Sequence, residues 1–196
     1  MGLFVTLHQP PPDIAADLFC KSVVSRIEGT IPYEFGSDAR LIPGSSTLLA
    51  SLTESSCPWA IVTSGTRALA TGWLDVLKLT HPAHMIVAED VENGKPDPAC
   101  YRLGRKRLDL EAEDKRVLVV EDAPAGIRAG KAAGCVVVAL LTTHNREEVV
   151  AAGADWVVAD LENVTFLGKD EIGSVRLQLT GKKLMGAHDK PGYRHG

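Results

Sequence analysis

The sequence predicts an α/β fold, a Rossmann-like parallel sheet with helices on both faces. Short, near-continuous apolar runs alternate along the chain with helical patterns of about ten residues. Strands that read as unbroken apolar runs are typical of parallel sheets, whose faces are both covered. Strict alternation of strand and helix is the pattern of α/β domains.

The elements follow one another in a regular order. Strands are predicted at residues 59–62, 85–88, 117–120, 136–141 and 156–159. Helices are predicted from 66 to about 79, from 97 onward, from 124 to 133 and from 145 to 153. Asp97 and Pro98 suit an N-cap and a first helical position, and Asn145 and Glu148 have the spacing of a capping box.

The two ends of the chain depart from this rhythm. Residues 17–28 predict an amphipathic helix ending at Gly29, followed by a connector over 30–44 and a short helix over 45–55. Residues 175–179 alternate like an exposed edge strand within a glycine-rich tail. We therefore predict an N-terminal segment over 1–44, an α/β core over 45–167 and a C-terminal tail over 168–196.

Composition narrows the class of protein. A chain of 196 residues with 45% apolar and 23% charged residues is that of one globular domain. A net charge of −4 without a basic stripe argues against a nucleic-acid partner, and no apolar run is long enough to span a membrane. Four widely spaced cysteines without a C-x-x-C pair indicate reduced thiols in a cytoplasmic protein. The oligomeric state is left open.

Two adjacent acids, Glu121 and Asp122, directly follow the buried strand at 117–120. Open α/β folds place their sites at the carboxyl ends of such strands. Neighbouring carboxylates repel unless a cation offsets their charge, and Mg²⁺ bound by one or two carboxylates and water fits this requirement. The alternative is an ordinary strand-to-helix loop with solvated acids.

Two further strand ends carry polar groups. Thr63, Ser64 and Gly65 precede a helix, whose N-terminal N–H groups and dipole favour an anion; a simple helix cap is the alternative for Thr63. Lys95 lies in a turn between a glycine and a proline, beside several acids. There it could neutralise a phosphate and a carboxylate together, or it could simply be solvated.

Taken together, these segments resemble the haloacid dehalogenase-like hydrolases. Residues 61–63 match an apolar strand ending in Thr, residues 94–98 match a G-K-P-x-P turn, and residues 119–122 match an apolar strand ending in E-D. Over longer stretches, residues 59–66, 88–96 and 121–127 are similar to the fungal glycerol-phosphate and 2-deoxyglucose-6-phosphate phosphatases of that family. The resemblance runs from about Ser25 to Leu161.

The resemblance implies an aspartyl-phosphate mechanism acting on a small phosphorylated metabolite, a polyol or sugar phosphate. In that family an aspartate attacks the phosphoryl group, and a second aspartate two residues later serves as general acid and base. By motif, Thr63 would bind the transferring phosphoryl oxygens and Lys95 would hold the phosphate and the nucleophile. Glu121 and Asp122 would bind Mg²⁺ directly or through water.

The family's first motif, an apolar strand ending in D-x-D-G-T, does not occur in the sequence. Asp13 follows three prolines, Asp17 falls in a predicted helix, and the apolar stretch 3–8 carries Thr6 and His8 where aspartates would be needed. Residues 17–29 match only the last helix of the family's cap, so we expect the chain to begin inside the cap.

This absence leaves three interpretations. As a phosphatase by descent, the chain would be inactive or severely impaired. It could instead be a non-catalytic phosphate- or metal-binding remnant with a regulatory role. It could also be an incomplete gene model of an active enzyme.

Overall fold

The computed structural model describes residues 2–5, 21–112 and 116–184. Its strands are β1 (Gly2–Val5), β2 (Trp59–Val62), β3 (His84–Ile86), β4 (Val117–Glu121), β5 (Val136–Leu140), β6 (Trp156–Val158), β7 (Val164–Lys169), β8 (Val175–Leu179) and β9 (Lys182–Lys183). Its α-helices are α1 (Lys21–Phe35), α2 (Ser45–Glu54), α3 (Arg67–Val76), α4 (Ala99–Arg107), α5 (Pro124–Ala132) and α6 (Arg146–Ala151).

The main sheet has seven strands in the order β3-β2-β1-β4-β5-β6-β9. Its neighbouring strands are parallel except at one edge, where β9 pairs antiparallel with β6. The order reverses between β1 and β4, which is the kind of switch point where doubly wound sheets bind ligands beyond the carboxyl ends of the strands. The predicted Rossmann-like parallel sheet is confirmed.

β1 lies in the interior of this sheet, third in the strand order, and pairs in parallel with both neighbours. Val5 stands opposite Ile61 of β2 and Val120 of β4. The short strand therefore provides backbone partners for the two strands whose ends carry the candidate site. Thr6 and His8, the residues compared above with the family's aspartates, lie outside the described residues.

Both faces of the sheet are covered. Within β2, Ile61 is buried against α2 and α3, whereas Val62 is buried against α4 and α5, because successive strand side chains point to opposite faces. The core residues of the first face include Leu49, Leu52, Ile61, Leu74 and Val120. Those of the second face include Val62, Tyr101, Val119, Ile127 and Val137.

α1 is longer than predicted, since it runs through Gly29 and Pro32 to Phe35. The prediction that a helix ends at Gly29 is wrong for a reason of packing. A Cβ on Gly29 would come within 3.0 Å of the Ala68 Cβ, so the glycine permits close contact between α1 and α3. On the same interface, a Cβ on Gly72 would come within 2.9 Å of the Pro32 ring. Contact between the helices has overridden the local tendency of glycine to end one.

The segment after residue 161 is also built into the structure. β7 and β8 form a separate antiparallel hairpin, and their Val164 and Val175 are buried in the core that α2 covers. β8 coincides with the edge strand predicted over 175–179, although its partner is β7. β7 crosses residue 167, where the predicted core ends.

No helix in the described part of the chain is long and apolar enough to cross a bilayer.

Candidate active site

The candidate site lies at the carboxyl edge of the sheet, beside the switch point. Thr63 directly follows β2, Glu121 is the last residue of β4, and Asp122 is the next residue along the chain. Because β1 separates β2 from β4, these strand ends are two positions apart. The loop after β3 supplies Lys95.

A buried ion pair joins Lys95 to Glu121. The Lys95 Nζ lies 2.6 Å from the Glu121 Oε1 and also donates to the carbonyl oxygen of Val62 at 3.2 Å. The side chains of Lys95 and Glu121 are 7% and 0% exposed. The Tyr101 hydroxyl donates to the same Glu121 oxygen at 2.7 Å, and the Lys95 ammonium lies 5.1 Å from the Tyr101 ring centroid, within cation–π range.

The other oxygen of Glu121 is held by the backbone. Its Oε2 accepts from the N–H of Asp122 at 3.0 Å and from the N–H of Ala123 at 3.2 Å. A carboxylate offers about four acceptor positions, and these four donors account for them. Burial raises the pKa of the Glu121 carboxyl. The Lys95 ammonium, together with the hydrogen bonds from Lys95, Tyr101 and Ala123, outweighs burial and brings the pKa below its ordinary value.

Gly126, in the first turns of α5, leaves the space that the Glu121 carboxyl occupies. A Cβ on Gly126 would lie 1.6 Å from Glu121 Oε1 and 2.0 Å from Cδ, which is a direct overlap. The pair at the end of β4 therefore depends on a glycine five residues further along the chain.

Asp122 has a different environment from its neighbour. It is 7% exposed, and its Oδ2 accepts from the Thr143 hydroxyl at 2.9 Å and, more weakly, from that of Thr142 at 3.5 Å. The Thr143 Oγ1 also lies 2.9 Å from the His144 Nδ1. Since a carboxylate has no proton to give, Thr143 donates to Asp122, and its oxygen remains able to accept from the His144 ring.

Thr63 is 5% exposed, and its hydroxyl is already oriented by the following turn. The N–H of Gly65 donates to the Thr63 Oγ1 at 3.1 Å, and the Thr63 N–H donates to the Ile86 carbonyl at 2.9 Å. With a lone pair of the oxygen engaged, the hydroxyl proton can be directed toward an acceptor. Ser64, half-buried, lies between these two residues in the turn.

The start of α3 is occupied by carboxylates. The Thr66 N–H donates to the Glu28 Oε2 of α1 at 2.9 Å, and the Arg67 N–H donates to both oxygens of Glu89, each at 3.1 Å. The sequence predicted an anion site at this helix start, and these two N–H groups are bound to side-chain anions. The turn formed by Ser64 and Gly65 lies just before them.

Asp90 fixes the segment that leads to Lys95. Its carboxylate accepts from Arg107 at 2.8 Å, from Arg67 at 2.9 Å and from the Val87 N–H at 3.0 Å. Burial acts to raise the pKa of Asp90. The Arg107 hydrogen bond, the Val87 N–H and the charges of both arginines bring the pKa below its usual value. Arg107 also donates to the Met85 carbonyl at 2.8 Å, so this cluster ties the end of β3 to α4.

The structure thus pairs Lys95 with Glu121, and Asp122 follows Glu121 in the chain. Thr63 is adjacent because the residue before it, Val62, gives its carbonyl to Lys95. Sequence reasoning missed Tyr101 and Thr143. Thr143 follows β5, and the strand-end argument applied to that strand would have found it, whereas nothing in the sequence marks Tyr101.

In the described residues, no group of three or more His, Cys, Asp or Glu side chains is close enough to hold a metal ion. Glu121 and Asp122 contribute carboxylates, the hard oxygen donors that Mg²⁺ prefers. Mg²⁺ commonly takes one or two carboxylates and completes its shell with water and substrate phosphate. The donor set therefore fits an ion bound in that way, and not one enclosed by protein ligands.

The fold and this cluster define a Rossmann-like α/β protein with a charged site at the sheet's carboxyl edge. The family model for haloacid dehalogenase-like hydrolases matches residues 24–140. The chain therefore belongs to the haloacid dehalogenase-like hydrolase family, as the resemblance of its motifs predicted.

Named relatives agree with this assignment. The chain is 39% identical to glycerol-1-phosphate phosphohydrolase 1 of Saccharomyces cerevisiae over 76% of its own length and 62% of the relative's. It is 38% identical to 2-deoxyglucose-6-phosphate phosphatase 1 of the same yeast over 78% of its length and 68% of the relative's. A crystal structure of a hydrolase from Pseudomonas syringae, 27% identical, matches 74% of this chain and 71% of that one with a TM-score of 0.61. The chain thus spans less than two thirds of the yeast glycerol-1-phosphate phosphohydrolase that it matches.

Replacing Gly126 with alanine should destabilise the protein by about 3 kcal/mol or more, because the methyl group displaces Glu121 and takes the carboxylate away from the buried Lys95 ammonium. Gly94→Ala is the matched control, since a Cβ there meets nothing within 4 Å; its effect should be about 1 kcal/mol or less. Urea unfolding measures both variants. Equal stability of the two would contradict the assigned packing.

Replacing Lys95 with methionine should reverse the pH dependence that Glu121 contributes. In the parent protein the lowered pKa of Glu121 adds stability above about pH 4.5, and this stability is lost as the pH falls through the folded-state pKa. Without Lys95, burial dominates and raises the pKa, so ionisation of Glu121 opposes folding as the pH rises above about 4.5.

Urea unfolding between pH 4 and 7 tests this prediction. The stability difference between parent and Lys95→Met should widen with rising pH, to about 3–5 kcal/mol near neutrality. A difference that does not change with pH would mean that Glu121 is not held ionised by Lys95.

Proposed function

We propose that this site binds the phosphate group of a small polyol or sugar phosphate, with Mg²⁺ as its metal ion. The observation that carries the proposal is the Lys95 ammonium, which is buried between the end of β2 and the Glu121 carboxylate. An ammonium placed there can attract a phosphate without leaving its partner. The names of the relatives support the substrate class, since they include glycerol-1-phosphate, 2-deoxyglucose-6-phosphate and hexitol phosphatases.

Thr63 would donate its hydroxyl proton to a phosphoryl oxygen, with Ser64 and Gly65 forming the turn around it. The bond from the Gly65 N–H to the Thr63 oxygen supports this role, because it holds the oxygen in place and leaves the hydroxyl proton available for donation. A preorganised donor loses little on binding, which is the basis of electrostatic stabilisation in phosphoryl transfer.

Asp122 would be the principal protein ligand of Mg²⁺. Glu121 accepts four hydrogen bonds in the observed conformation, so it could bind the ion only by giving up one of them or through water. Thr143 would hold the Asp122 carboxylate in place. When bound, the ion would offset the negative charge of the phosphoryl oxygens.

We further propose that the 196-residue chain binds such phosphates without hydrolysing them efficiently. In the sequence, the three residues after β1 are Thr6, Leu7 and His8, and none of them has a carboxylate that could accept a phosphoryl group. This would make the chain a non-catalytic binding protein, in contrast to the phosphatases named among its relatives. It is favoured by the intact Lys95–Glu121 pair in a chain without the nucleophile motif.

A cytoplasmic location is part of the proposal. Cys57, Cys100 and Cys135 are free and buried, as expected of a reducing compartment. Burial raises the pKa of the Cys135 thiol to about 11, so it is protonated and unreactive at neutral pH.

We expect the chain to release no phosphate from glycerol 1-phosphate with Mg²⁺ above the background without protein. The double variant Thr6→Asp/His8→Asp introduces a D-x-D spacing after β1 and should gain Mg²⁺-dependent release. Thr6→Asn/His8→Asn is the matched control and should not. Phosphate release by the parent chain that is lost in Lys95→Ala or Asp122→Ala would overturn the proposal that it is inactive.

Binding should survive without turnover and should depend on the named groups. Thr63→Val should weaken inorganic phosphate binding by about 10-fold or more, and Asp122→Asn should weaken Mg²⁺ binding similarly, because hydrogen bonds and contacts to ions are worth about 1.5–3 kcal/mol. Thr165→Val and Asp38→Asn, at exposed positions, are the controls. Isothermal calorimetry measures all four, and equal effects at site and control positions would contradict these roles.

A further inference from the structure

The carboxylate of Glu28 lies beside the proposed phosphate turn. Its Oε2 accepts from the Thr66 N–H at 2.9 Å, and Thr66 directly follows Gly65, whose N–H contacts the Thr63 hydroxyl oxygen at 3.1 Å. Consecutive Cα atoms are about 3.8 Å apart, and Thr66 is the next residue after Gly65. The Glu28 carboxylate therefore places a negative charge next to the turn that is proposed to bind phosphate.

The helix that carries Glu28 is held in place by its packing against α3. The glycines at the interface of α1 and α3 allow close contact, as Gly29 does with Ala68 and Gly72 with Pro32. α1 cannot carry Glu28 away from Thr66 without separating these surfaces. The packing therefore fixes the backbone position from which the Glu28 side chain reaches Thr66.

Glu28 can act as a negatively charged hydrogen-bond acceptor. Across the described ranges of the chain, its hydrogen bond to Thr66 uses Oε2, and Oε1 has no hydrogen-bond partner. A carboxylate accepts hydrogen bonds from hydroxyl groups and repels other anions. Glu89, whose carboxylate accepts from the Arg67 N–H, adds a second negative charge.

We propose that Glu28 is a specificity-determining residue of the phosphate site. Its carboxylate favours phosphate esters whose remainder is neutral and rich in hydroxyl groups, and it disfavours esters that carry a second anionic group. This inference rests on the proposed phosphate site at Thr63 and Lys95, and it adds the property by which that site would choose among small phosphates.

Calorimetry with two probes tests the proposal. Glycerol 1-phosphate has a neutral, hydroxyl-bearing remainder, and phosphoglycolate has a carboxylate at a similar size. The parent chain should bind glycerol 1-phosphate about 10-fold more tightly than phosphoglycolate. In Glu28→Gln this ratio should fall to about 2 or less, chiefly because phosphoglycolate binds more tightly once the charge is removed.

Two further variants serve as controls. Glu34→Gln makes the same charge change on an exposed position of the same helix and should leave the ratio at the parent value. Glu28→Asp keeps the charge and should keep the preference for glycerol 1-phosphate. The glutamine variant retains an acceptor for the Thr66 N–H, and thermal unfolding verifies that each variant is folded.

The possible outcomes separate this inference from the proposed function. An unchanged ratio in Glu28→Gln, or an equal gain for both probes, overturns the role of Glu28 while binding that depends on Thr63 still supports the phosphate site. Loss of the preference in a folded Glu28→Asp also overturns it. If neither probe binds to the parent chain or to Glu28→Gln, both proposals are wrong. If phosphoglycolate binds to Glu28→Gln and does not bind to the parent chain, the result supports the exclusion of anions by Glu28.

Discussion

The buried pair of Lys95 and Glu121 is the interaction on which the carboxyl edge of the sheet depends. It joins the loop after β3 to the end of β4 across β1 and reaches the end of β2 through the Val62 carbonyl. Burying two charges is costly, and an ion pair offsets that cost only when the remaining donors and acceptors are also satisfied. Tyr101, two backbone N–H groups and the space left by Gly126 meet this requirement for Glu121.

The environments of the two neighbouring acids explain how one dipeptide can have two roles. Glu121 is enclosed by donors and keeps its charge because Lys95 is beside it. Asp122 is held by a threonine hydroxyl from the loop after β5 and is the more accessible of the two. A structural anion and a candidate metal ligand thus follow each other in the chain, and their different surroundings distinguish them.

Much of this arrangement could be predicted from the sequence, because strand ends of a parallel sheet meet at one edge. That rule identified Thr63, Lys95, Glu121 and Asp122 and the alternation of strands and helices around them. It could not predict that Glu28 binds the start of α3, since the contact joins residues 38 positions apart. The weak helix propensity of glycine predicts a helix stop at Gly29, whereas its contact with Ala68 is a property of two packed helices. The pairing of β8 with β7 likewise depends on a hairpin packed against α2, which the alternation of residues 175–179 alone does not reveal.

The overlap at Gly126 also bears on how this part of the family can vary in evolution. A larger residue at position 126 is compatible with the observed packing only if the residue at position 121 is shorter than glutamate. A shorter residue at position 121 would remove the carboxylate that Lys95 and Tyr101 share. A single substitution at position 95, 101, 121 or 126 is thus expected to give a less stable protein. We expect these four residues to be inherited together. Where they differ between descendants, the replacements should be correlated.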